Sequence, residues 1–307
     1  MSQDITTIEI SPRFAGMKAQ ALSDLLAELD NEVERYVGEL DYRHAAAYAA
    51  RAHIRFAAGY PAPEILDDCW MASRCLITNP ELHLHRTPHE RLLSRRITPI
   101  ELALLGGDPE LAKRMAGAYG LPVVAGRAGV ADAELTRELR ILSPALIGQP
   151  LRSAQDLLGL AAAVYAGALS AVTRGFADEA LMAIELLAKA QYNGELSDGQ
   201  KAVMVRYGGL CEALLELIRP GERDLGGILA DQIDRHTSRT MAALGDQGPK
   251  AQTRLLDTGS LALLALATLI ERPPAPFPPR PDVTPAACLY TEFLAVMAHG
   301  QQRQEES

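Results

Sequence analysis

The chain has 307 residues, enough to bury a substantial core in one large helical unit or two closely packed ones. Its 39 acidic residues against 30 basic ones give a net charge of −9, the opposite of the balance expected of a nucleic-acid binder. Hydrophobic residues make up 48% but aromatics only 5%; the apolar content is largely Ala and Leu, which favour helix, so helix packed on helix is the predicted class.

The opening "MSQDITTIEISPRF" has no basic residue before Arg13 and no apolar run behind it, which predicts no secretory signal and a cytoplasmic protein. Over 23–60, Leu25, Leu26, Leu29, Val33 and Val37 recur at three- and four-residue steps and mark two helices or one bent helix, with Ser23 as N-cap. The same stretch carries Asp24, Glu28, Asp30, Glu32, Glu34 and Glu39, an acidic stripe that would be either a solvated face or a dock for a basic partner. Pro61 and Pro63 in "GYPAPE" interrupt the helix, and a short one is predicted over 64–77.

"ELHLHRTPHERLLSRR" (81–96) concentrates His83, His85 and His89. Zinc wants three or four ligands converging tetrahedrally. His-x-His splits two imidazoles across a strand or by about 200° on a helix, and Pro88 interrupts any helix shared by His85 and His89. No H-E-x-x-H, E-x-x-H pair or C-x-x-C supplies further ligands. A solvated polar connector reaching to Arg96, or a partly packed polar patch, is the expectation, with a metal-dependent helical-bundle enzyme on these three histidines as the alternative; no cofactor is assigned.

A helix is predicted from Thr98, with Pro99 at its first position and Glu101 completing a capping box. Gly106 and Gly107 end it, Asp108 and Pro109 start the next, and Gly120 with Pro122 stops that one. A second hairpin spans 153–191 and turns at Gly175. Its turn resembles that of the first, but two similar hairpins do not make the fixed period of a repeat array. Further helices are read over 197–218, 224–244, 251–270 and 285–298. The seven prolines of 271–285 form an extended connector, and "QQRQEES" a frayed tail.

The longest apolar stretches, "GLAAAVYAGALSAV" (159–172) and "GSLALLALATLI" (259–270), are shorter than the roughly 18–20 residues that cross a bilayer. Cys69, Cys75, Cys211 and Cys288 are read as reduced thiols, the first two in an apolar segment with Trp70. Asp231, Asp234, Arg235 and His236 cluster in "DLGGILADQIDRHTSR"; Asp231 and Arg235 are an i,i+4 pair of the kind that supports an exposed helix face. No P-loop, dinucleotide fingerprint or nucleophile elbow is present. The expected architecture is all-α: stacked helical hairpins, solenoid-like or as an irregular bundle, in one domain over 1–307 that divides at most into N-terminal helices (1–80) and a hairpin core (97–298).

The order of "ITPIELALLGGDPELAKRMAGAYGLP", a central apolar helix pair and "TRLLDTGSLALLALATLIERPPAPFPPRPDVTPAACL" resembles immunity protein family 49 of bacterial polymorphic-toxin systems over about residues 45 to 295. That family has a central helix ending before an acidic turn and a Leu-Pro stop, and an apolar helix that runs into a Pro-containing segment. The chain departs from it in having its only tryptophan, Trp70, outside the hairpin helix. The resemblance implies a cytoplasmic, non-enzymatic protein that neutralises a cognate toxin by binding it. Candidate contacts from the residues are Asp24, Glu28, Asp30, Glu32, Glu34 and Glu39 with His83, His85 and His89, and no nucleic acid or membrane partner is expected. A helical-repeat adaptor is the remaining reading, differing only in its partner.

Overall fold

A computed structural model describes residues 19–36, 40–85, 92–121, 149–221, 224–247 and 256–270. Within them the chain is α-helical, with no strand. Val37, Glu39, His89, Cys288, the proline-rich stretch and the helix expected over 285–298 lie outside the described residues.

Helix α1 (Ala19–Glu34) buries Leu26, Leu29 and Val33 of the expected stripe together with Leu22, while Leu25 is half-buried. Ser23 lies inside α1 rather than at its start, because the helix already includes Ala19. A 3₁₀ turn over Tyr42–His44 leads into α2 (Ala45–Ala57), so the two-helix reading holds for this stretch. Gly59, at φ 77°, takes the left-handed conformation that ends α2. Helix α3 (Ala62–Leu76) then starts on Pro61 and Pro63.

The connector expected from His83 to Arg96 is helical at both ends, while residues 86–91 lie outside the described residues. Pro80–His85 is a short helix, α4, and α5 runs over Leu92–Leu105, straight through Thr98 and Pro99. The expected start at Thr98 is therefore wrong by nearly two turns. Its first turn is fastened by tertiary bonds that helix-cap signals do not display: Arg95 Nη1 lies 2.8 Å from His83 Nε2, and Arg96 Nη1 donates to the Tyr119 carbonyl at 3.4 Å. Burial of Ile97 and Ile100 on either side offsets the backbone hydrogen bond that Pro99 forfeits.

The hairpin turn after α5 follows expectation. Gly107 sits at φ 70°, and Asp108 Oδ1 accepts the Leu111 amide at 2.9 Å to cap α6 (Pro109–Tyr119). Gly106 lets α5 end against α3, since a Cβ there would lie 2.8 Å from Trp70 Cα and Cβ. The second hairpin pairs α7 (Ala154–Thr173) with α8 (Ala177–Lys189) around Gly175 at φ 85°. Ser153 and Asp156 close a capping box on α7, as Ser197 and Gln200 do on α9 (Asp198–Ile218). Helix α10 (Leu225–Gln247) follows, and α11 (Thr258–Leu269) is capped by Asp257, whose Oδ1 accepts the Ser260 amide at 3.3 Å.

Consecutive helices pair, but the core is not a one-dimensional stack. Helix α5 packs against α3, α6, α7 and also α11, far downstream in sequence. Solenoid repeats touch only their neighbours, so the irregular bundle is the architecture realised. One contiguous apolar cluster draws buried residues from every helix, α1 to α11. Helix α7, at 20 residues, is long and apolar enough to cross a membrane, more than the shorter apolar run suggested; 83% of its apolar window is buried inside the bundle.

Candidate functional site

Asp24, Glu28 and Glu32 follow one another at four-residue steps along α1, all exposed and turned away from the buried Leu and Val stripe, with Glu34 exposed beside them. Asp30 does not belong to this outer row. It is half-buried, 3.0 Å from Arg51 Nη1 and 3.8 Å from Arg55 Nη2. Arg51 donates from Nε and Nη2 to Asp68 Oδ1 at 3.0 and 2.6 Å, and Arg55 Nη1 lies 3.2 Å from Asp68 Oδ2. Two arginines of α2 thus bridge α1 and α3, and the acidic row is carried on a helix locked to its neighbours by ion pairs as well as apolar contact.

Of the three histidines, His83 is turned into the protein and not towards a partner. His83 is 6% exposed, its ring 5.7 Å from that of Tyr119 and edge-on to it. The Tyr119 hydroxyl donates to the Leu76 carbonyl at 2.9 Å, so across the 3.2 Å contact with His83 Nδ1 the imidazole donates. Nε2 is then the acceptor for Arg95. Burial, and next the charge of Arg95, lower the His83 pKa to about 4 and keep the ring neutral. Both nitrogens are engaged inside the protein, which leaves no lone pair for a metal. His85 ends α4, and His89 lies outside the described residues. Among the described residues no three His, Cys, Asp or Glu side chains converge to hold a metal. Cys69, Cys75 and Cys211 are free and buried, and burial pushes the Cys211 thiol up to about 12, a poor nucleophile.

A polar cluster that the sequence did not announce lies in the bundle. Glu101 of α5, 4% exposed, accepts from Tyr165 of α7 at 3.2 Å and from Thr258 Oγ1 of α11 at 2.6 Å. Arg206 of α9 donates to Asp257 Oδ1 at 2.9 Å and to His236 Nδ1 of α10 at 3.2 Å. Burial raises the Glu101 pKa; the same burial would raise that of Asp257, but the adjacent Arg206 holds it below the ordinary value. Five helices meet on these groups, with every carboxylate oxygen accepting a hydrogen bond, so they lock the packing rather than await a ligand. The one visible signal was Glu101 itself, an acid flanked by Ile100, Leu102, Ala103 and Leu104, all buried. His236, which the sequence places next to the Asp231–Arg235 pair, is half-buried here beside Arg206.

Comparison with known proteins finds no matching family model, no matching curated protein and no matching solved structure.

Proposed function

We propose that this chain is a protein-binding inhibitor, an immunity-type protein that neutralises a toxin by docking it and occluding its site, with no chemical step of its own. The observation that carries this reading is the exposed Asp24–Glu28–Glu32 row on α1. Like charges at i,i+4 cost a helix about 0.2–0.5 kcal/mol per pair, a cost that a basic surface docked on the row would turn into attraction. The net charge of −9 steers such a partner in from a distance. The element order resembling immunity protein family 49 supports the same reading, and such a protein would work in the cytoplasm, where its cognate toxin is made. The metal-enzyme alternative has less support, because His83 is buried and committed to Arg95 and Tyr119.

Coexpression with the products of the genes that flank its own tests this. The expected result is a stoichiometric complex whose association rate falls steeply with salt and drops at least tenfold on replacing Glu28 and Glu32 by Lys. No complex, or one indifferent to both substitutions, would count against the proposal.

A further inference from the structure

A groove remains on the surface that none of this uses. Its main chamber, about 450 Å³, is floored by Trp70, Ile77 and Leu111, with Leu40 at its lip, 40% exposed. A second hollow of about 320 Å³ continues from it, sharing Leu40 and Thr78. Two exposed arginines stand over the main chamber. Arg74 of α3 lays its guanidinium 4.7 Å above the half-exposed Trp70 ring, and Arg114 projects from α6.

The acids that line the chamber balance these cations only in part, since Asp108 keeps its charge but Glu110 is neutralised by Lys113. Asp108 Oδ1 is taken by the Leu111 amide as the cap of α6, and Glu110, four residues before Arg114, instead pairs with Lys113 at 2.9 Å. In the second hollow Asp41 and Arg43 pair with each other at 2.8 Å. Among the described residues, Arg74 and Arg114 have no carboxylate within ion-pair distance, and they flank an apolar chamber large enough for an aromatic side chain.

We propose that this groove receives an acidic peptide segment of a protein partner, an aromatic or large aliphatic side chain entering between Trp70 and Leu111 while flanking carboxylates pair with Arg74 and Arg114. Guanidinium groups suit this role because their planar donors match a carboxylate bidentately. The surface opposes α1 in charge preference, so it does not depend on the inhibitor reading: it would serve a second partner, or an acidic loop of the same one.

Trp70 is the only tryptophan in the chain and lines the groove, so its emission reports occupancy directly. The full-length protein is titrated with acetyl-Glu-Asp-Phe-Glu-Asp-amide, its Gln/Asn counterpart, its Lys/Arg counterpart and a single-stranded thymidine oligonucleotide. The expected result is a saturable, salt-sensitive change in Trp70 emission with the acidic peptide alone. Affinity should fall about tenfold in Arg74→Gln and again in Arg114→Gln, the scale of one charge-assisted hydrogen bond. Both arginines are exposed, and unchanged circular dichroism separates lost binding from lost fold. Equal titration by the neutral peptide, a response to the oligonucleotide in place of the acidic peptide, or indifference to both substitutions overturns the proposal.

Discussion

Arg206 and Asp257, 51 residues apart in sequence, meet at 2.9 Å between Nη2 and Oδ1, the carboxylate 3% exposed and the guanidinium 24%. The contact joins α9 to the start of α11, and Asp257 also caps α11 through Ser260. Removing one partner of a buried pair leaves an uncompensated charge. Asp257→Ala is expected to destabilise the fold by about 3–5 kcal/mol in urea denaturation. The triple variant Arg206→Met, Asp257→Asn and Glu101→Gln should lose clearly less, because it removes the buried cation together with both acids it neutralises and leaves no orphaned ion.

Acid should weaken the fold through two histidines. Burial, then the charge of Arg95, hold His83 at about 4, and burial, then His236, hold His53 at about 3. Both lie below the ordinary value near 6.5, so between those limits the unfolded chain binds more protons than the folded one. The stability from these neutral rings is complete above pH 6.5 and is lost as the pH falls towards 4. Stability measured from pH 8 to 4.5 should fall more gently in His83→Gln, by up to about 1.4 kcal/mol per pH unit, the share of one proton.

The acidic row on α1 predicts opposite effects on folding and on binding. Glu28→Lys exchanges two like-charge spacings, to Asp24 and to Glu32, for opposite-charge ones. It should stabilise the free protein by about 1 kcal/mol in low salt while weakening attachment to a basic partner. A variant that loses both stability and binding would show that Glu28 serves the fold.

Gly106→Ala should push α3 away from the end of α5, since the new methyl meets the backbone of Trp70 rather than a yielding side-chain tip. Overpacking of this kind costs about 1–3 kcal/mol. Thermal denaturation followed by Trp70 emission reads both the loss and the local shift.

The helical class and the hairpin turns were legible because glycines at Gly107 and Gly175 and the Asp108 cap act locally, within a few residues of the bond they satisfy. What escaped was decided at long range. Thr98 and Pro99 carry the local pattern of a helix start, yet α5 begins earlier because His83 and the Tyr119 carbonyl hold Arg95 and Arg96. His83 reads in sequence as part of a polar stretch, solvated or partly packed; only the fold shows its two ring nitrogens consumed. Asp30 looks like one more acid in the α1 stripe, but its neighbours Arg51 and Arg55 come from another helix. Trp70 and Arg74 stand one helical turn apart in sequence, whereas Arg114, the third element of their groove, arrives from α6.

The reach of α5 to α11 also orders the birth of the molecule. Glu101 is buried among groups that include Thr258, 157 residues later. A growing chain on the ribosome therefore carries Glu101 without its buried partners, and then the membrane-length apolar helix α7 without its full cover, until α11 has been made. The bundle can close only once α11 has emerged, so a protein truncated before Asp257 should be retained by chaperones instead of folding as a smaller version of itself.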